Sequence, residues 1–305
     1  MNTRALSMMV AFVGALSIGP THASPESVGL SGETISGGTP SLSTPAPNER
    51  LLALLRAGDF AALESATREI QAKFESGSLS EMDLRNTYRQ FYKMEQQELA
   101  RIGEWKKAFP DSYAAHLIRG VYLKRKGKDI RGSNAISQTP PENLESMRQY
   151  HELATSELVP SLKLTKKPFL SVFHLLDIAK SRGSREQALA LIAAANEMLP
   201  ANTLARNRYM TSLQPRWGGS YEEMRQFITR SRDEGLGKEG LIQLEAIMYD
   251  DMAFTYLERG DRQSATKYLD KTTALAQQVR EDFRKEFLSF STTPCAQKLE
   301  LQKYC

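Results

Sequence analysis

Residues 169–200 read FLSVFHLLDIAKSRGSREQALALIAAANEMLP. Leu176, Ala179, Gly183, Ala188, Ile192, Ala195 and Pro200 mark two short helices joined by a tight turn. Small residues on the facing sides let two antiparallel helices approach closely. Gly183 is placed to end the first helix, because glycine tolerates the left-handed geometry of a helix C-terminus. Ser184 and Gln187 have the spacing of a capping box for the second helix, and Pro200 cannot continue it. Residues 246–277 repeat the pattern with Tyr249, Ala253, Tyr256, Gly260, Ala265 and Leu269, and Asp261 stands where a cap is needed. A weaker third copy begins near Tyr113 with Gly120, Leu123 and Gly127. Its second half is interrupted by the loop-like stretch DIRGSNAISQTPPEN, after which a helix is predicted from about Leu144 through Tyr150, Ala154 and Leu158.

This spacing resembles the tetratricopeptide repeat, and the resemblance implies an all-α fold: an α-solenoid of antiparallel helical hairpins. No strand signal competes, because period-2 runs of β-branched residues are missing and helix formers dominate. Helix is expected nearly everywhere from Glu49 to Phe290. Leu51, Leu52, Leu54 and Leu55 open an apolar face that continues through Phe60, Leu63, Ile70 and Phe74, broken at Gly58-Asp59. Ser80-Glu81-Met82-Asp83 reads as a helix start. The helix it begins is expected to carry Leu84, Tyr88, Phe91, Tyr92 and Leu99, and to run on to Trp105 and Phe109 before Pro110.

The first residues, MNTRALSMMVAFVGALSIGPTHA, have the layout of a signal peptide: Arg4, an apolar run to Gly19, then small residues ahead of a cleavage site after Ala23. The apolar run is shorter than the roughly 20 residues of a membrane span. Residues 24–47, rich in Ser, Gly, Thr and Pro, read as a disordered linker. The helical repeat domain is expected over residues 48–290 and a tail over 291–305. The tail holds the chain's two cysteines, Cys295 and Cys305, which in an oxidising compartment are expected to form a disulfide. The full chain has 40 basic and 36 acidic residues. That balance lacks the basic stripe that nucleic-acid binding requires.

Arg216-Trp217-Gly218-Gly219-Ser220, preceded by Leu213 and Pro215, stands apart from the repeats. Together with Trp105, Pro110-Asp111-Ser112, Gly120 and Arg131-Gly132, it resembles a bacterial domain family of unknown function. Members of that family carry a similar Pro-Arg-Trp-Gly-Gly-Ser loop between tetratricopeptide-like helices. The resemblance spans about residues 50–260 and implies fold and extent, with no catalytic residue to transfer. Read physically, Ser220 and Glu223 cap a new helix, the two glycines permit a tight turn, Trp217 packs under the loop and Arg216 pairs with an acid. Two readings of the loop stay open: a rigid inter-repeat connection, or a binding element. In the second, glycine amides take an anion, or Arg216 and Trp217 anchor a partner.

The chemistry of catalysis is hard to find. Beyond the leader the histidines are His116, His151 and His174. His151-Glu152 opens no His-Glu-x-x-His zinc motif, and His116 and His174 read as packed, hydrogen-bonded rings. There is no phosphate-binding loop and no nucleophile elbow. Neighbouring acids such as Glu222-Glu223 and Asp250-Asp251 point about 100° apart on a helix. The basic run Lys124-Arg125-Lys126-Gly127-Lys128 reads as a solvated helix C-terminus, with an anionic-surface contact as the alternative. No metal or cofactor is expected. The sequence therefore points to a periplasmic, non-catalytic scaffold that binds a protein or peptide in a helical-repeat groove. An immunity-type protein against a secreted toxin is the alternative within that class. An enzyme would need a deep pocket of converging Arg216, acids and histidines.

Overall fold

The computed structural model describes residues 49–133 and 136–288. The leader, the linker and the Cys295–Cys305 pair lie outside them. Among the described residues there are thirteen α-helices and no strand. No helix among them is long and apolar enough to cross a membrane.

The N-terminal helices follow their caps. Helix α1 (Arg50–Ala57) buries Leu51, Leu52 and Leu55 and stops at Gly58, whose φ is +74°. Asp59 starts α2 (Phe60–Glu75) by accepting from the Ala62 amide at 3.1 Å. Ser80 starts α3 (Glu81–Tyr88) by accepting from the Asp83 amide at 3.1 Å. The single helix expected from here to Phe109 does not exist. A 3-10 turn over Arg89–Lys93 and an extended Met94 separate α3 from α4 (Gln96–Ala108). The break is stabilised locally, because Glu98 accepts from the Glu95 amide at 2.6 Å in a capping box. It also turns Phe91 and Met94 into the core, where both are buried.

Ser112 caps α5 (Tyr113–Arg131), which pairs with α6 (Pro141–Ser161). Helix α6 starts at Pro141, earlier than the expected Leu144. The expected small-residue contacts are present. A Cβ on Gly120 would lie 2.6 Å from Leu158, and one on Gly127 would lie 3.0 Å from Tyr150. The same logic pairs α7 (Phe169–Ser181) with α8 (Arg185–Met198) around Gly183, and α11 (Lys238–Glu258) with α12 (Arg262–Ala276) around Gly260. Between these pairs lie α9 (Leu204–Ser212) and α10 (Tyr221–Asp233); α13 (Glu281–Phe287) follows last.

The capping box expected at Ser184 is not formed, since its side chain makes no cap hydrogen bond. Asp261, at the matching place after Gly260, does cap, accepting from the Ser264 amide at 3.0 Å. Backbone angles at the two positions are nearly the same, with ψ of 87° and 82°. The difference is reach: a carboxylate oxygen extends one bond further than a serine hydroxyl. Where serine does cap, at Ser80, Ser112 and Ser220, the backbone is more extended, with ψ between 109° and 159°.

One large apolar core runs from Leu51 to Leu288. A satellite of Ala253, Leu257, Ala265 and Leu269 seals α11 against α12.

Candidate functional site

The loop singled out in the sequence lies between α9 and α10. Pro215–Trp217 forms a 3-10 turn, Gly218 adopts φ +85°, and Ser220 caps α10 by accepting from the Glu223 amide at 3.2 Å. A Cβ on Gly219 would lie 2.1 Å from the Leu213 carbonyl oxygen, so only glycine fits there. Arg216 pairs at 3.0 Å with Asp251 of α11, a buried carboxylate that also accepts from the Tyr221 hydroxyl at 3.0 Å. Burial raises the Asp251 pKa, against the opposing pull of Arg216 and Tyr221. Trp217 is half-buried, with the Lys180 ammonium 4.9 Å from its ring centroid. The amides of Gly218 and Gly219 donate to Pro215 and Gln214, and the Gly218 carbonyl accepts from Arg185 at 2.6 Å. The loop thus ties α7, α8, α10 and α11 together, and its glycine amides are engaged within the chain. Trp105 and Ser112, grouped with this loop by the resemblance, meet elsewhere, both donating to the buried Glu64 carboxylate at 3.1 and 2.5 Å.

A different site was not visible in the sequence. A cavity of about 730 Å3 opens between α3, the 3-10 turn after it, α5, α7, α9 and α13. Seven basic and five acidic side chains line it, with Tyr92, Val121 and His174. At its inner wall Arg208 uses both ends of its guanidinium: one donates to Asp177 at 3.0 Å and the other to Glu286 at 2.9 Å. Arg85 also donates to Glu286. Lys124 donates to Asp177 at 2.7 Å and to His174 Nδ1 at 3.1 Å. The Arg208 guanidinium lies 4.6 Å from the Phe173 ring centroid and 5.5 Å from that of Phe287. These aromatic faces favour a cation and shield it from water.

The electrostatics follow from burial and close pairing. Burial alone would push Asp177 up, but Arg208, Lys124 and Lys180 outweigh it and hold the carboxyl well below its usual range. The Arg208 pKa is raised, because Asp177 and Glu286 outweigh its desolvation. Burial and the neighbouring Lys124 cation push His174 well below its ordinary value, so the ring is neutral. Burial also lowers Lys124. As expected, His174 is a packed and hydrogen-bonded ring, yet it also lines the cavity.

Of the basic run Lys124–Lys128, only Lys128 lies in the last turn of α5, which continues to Arg131. Lys124 turns inward on Asp177, while Arg125 and Lys128 line the cavity. One sequence signal does exist in retrospect: His174, Asp177 and Lys180 recur every three residues through the otherwise apolar α7, which puts polar groups on one side of a buried helix. Arg85, Arg208 and Glu286 carry no comparable mark. Among the described residues, no group of three His, Cys, Asp or Glu side chains is placed to hold a metal ion.

Residues 49–200 match a domain of unknown function, DUF4034. The match takes in the cavity walls from α3, α5 and α7 but ends before α9, the Arg216–Ser220 loop and α13. Comparisons with curated proteins and with solved structures find no match.

Proposed function

We propose that the chain is a non-catalytic binding scaffold of antiparallel helical hairpins, exported through its leader and active in the periplasm. Its partner is a protein or peptide that places acidic groups in the cavity between α3, α5, α7, α9 and α13. The observation that carries this reading is the cavity's charge: basic side chains outnumber acidic ones, and the inner acids are already paired. Arg89 and Lys128 at its edge make no ion pair among the described residues. Both carboxylates of the inner wall are held by arginine or lysine, an arrangement suited to recognising charge rather than to moving protons. The Arg216–Ser220 loop is the connection that fixes α10 against α11 in this reading. Cys295–Cys305 staples the tail.

The test is affinity capture from periplasmic extract with the mature chain, with a doubly charge-reversed Arg89→Glu/Lys128→Glu variant, and with Arg216→Ala. The expected result is a partner retained by the first and third and lost by the second. A captured set that charge reversal leaves unchanged, or that only Arg216→Ala abolishes, overturns the assignment to the cavity.

A further inference from the structure

Resting on that reading of the cavity, we infer that Arg85 and Arg208 form a carboxylate-recognition subsite which Glu286 of the chain itself occupies, and that an acidic residue of the partner takes the place of Glu286. The acids of the cavity differ in how firmly they belong to its wall. Asp177 sits on α7 in the cavity wall and is locked by three cations. Glu286 arrives on α13, separated by 201 residues from Arg85 and by 78 from Arg208. The other acids that α13 brings to the cavity are paired locally, Glu281 with Lys285 at 2.5 Å and Asp282 with Arg280 at 3.1 Å. Glu286 alone among them reaches across to the wall.

The wall is not satisfied even with Glu286 in place. Arg85 is a buried arginine, and its Nε has no hydrogen-bond partner; the buried Nε of Arg208 has none either. Buried donors without partners are costly. With Glu286 withdrawn, the wall would present Arg85, Lys124 and Arg208 against Asp177 alone.

Helix α13 is suited to giving the carboxylate up. It has seven residues, and it is absent from the closely packed helix pairs. Phe283 and Phe287 are buried and anchor it, so exchange needs only the Glu286 side chain to swing out while the rings stay. Arg208 is held between Phe173 and Phe287 through such an exchange. The ligand class is therefore an acidic peptide segment, since the group it replaces is a glutamate side chain.

The experiment is calorimetric titration of the full mature chain with N-acetyl-triglutamate, and with N-acetyl-triglutamine as the neutral control. Glu286→Ala opens the slot and Glu286→Gln removes its charge while keeping its shape. Each is expected to bind triglutamate at least about tenfold more tightly than the unmodified chain, the scale of one charge-assisted hydrogen bond. Adding Arg85→Ala should abolish the gain, and triglutamine should bind none of them. A variant that melts normally and shows no gain overturns the proposal. A second measurement needs no variant: the unmodified chain should bind triglutamate in preference to triglutamine, and equal affinity for the two also overturns the proposal. The Arg89→Glu/Lys128→Glu capture tests the cavity independently. Loss of the partner there without any gain at Glu286 leaves the cavity reading standing and removes this one, while the reverse pattern removes the cavity as the partner's site.

Discussion

The Arg216–Ser220 loop and the cavity under α13 both set arginine against buried carboxylate, but they draw on very different lengths of chain. In the loop, the turn, the two glycines and the Ser220 cap lie within a few residues, and the partner acid Asp251 comes from the next helix but one in sequence. In the cavity, Lys124 and Asp177 are 53 residues apart, and Arg85 and Glu286 are 201 apart. The exposure also differs: the Arg216 side chain is 41% exposed and that of Arg208 is 16% exposed. A contiguous motif that stands out in sequence serves here as a connector. The place with the chemistry to recognise a ligand is assembled from residues that share no motif.

Removing one arginine from each place separates the two. Arg208→Ala takes one cation from Asp177 and one from Glu286, leaving them to Lys124, Lys180 and Arg85, and is expected to cost about 3–5 kcal/mol in urea unfolding, the scale of two lost charge-assisted hydrogen bonds. Arg216→Ala should cost about 1–3 kcal/mol, because water reaches the vacated side of Asp251. Equal costs would erase the distinction.

Acid sensitivity should belong to His151 on α6 and His174 in the cavity wall, and not to the loop, which has no histidine. Burial, with Lys124 and Arg182 nearby, lowers His151 from an ordinary 6.5 to about 4, and His174 shifts the same way. The unfolded chain therefore binds more protons than the folded one below pH 6.5. Stability should fall as pH drops from about 6.5 to about 4, by up to roughly 3 kcal/mol from His151 alone. His151→Gln should shrink the difference between urea midpoints at pH 7 and pH 4.5; an unchanged difference would assign the acid sensitivity elsewhere.

Within the loop, Gly219→Ala must displace the Leu213 backbone and is expected to cost about 1–3 kcal/mol. Gly218→Ala, which has open space but a positive φ, should cost about 1 kcal/mol. Melting of the two variants separates them. The smallest effect is expected for Trp217→Ala. Loss of its half-buried contact with Lys180 should cost about 0.5–1 kcal/mol. A larger loss on thermal melting would make Trp217 part of the core rather than a surface clasp.

Much of the local architecture was legible. Gly120 and Gly127 on α5, and the turns at Gly183 and Gly260, carry their helix pairings in residue size and backbone freedom, and Asp261, Ser80 and Ser220 cap where their spacing places them. The failures have a common origin. Ser184 and Asp261 differ by one bond of reach at the same backbone angles, which spacing does not encode. The break between α3 and α4 places Phe91 and Met94 in a core built by other helices, so the apolar period of α3 gives no warning of it.

What the sequence determines by itself in this protein is what neighbours along the chain determine: helix, turn, cap and the close approach of one helix to the next. These depend on interactions across a few residues, and residue type is enough to read them. The tertiary structure alone decided that Arg85, Lys124, Asp177, Arg208 and Glu286 would face one cavity. A charged side chain is equally compatible with solvent or with a buried partner until the fold brings that partner within about 3 Å, where desolvation and close pairing set its charge.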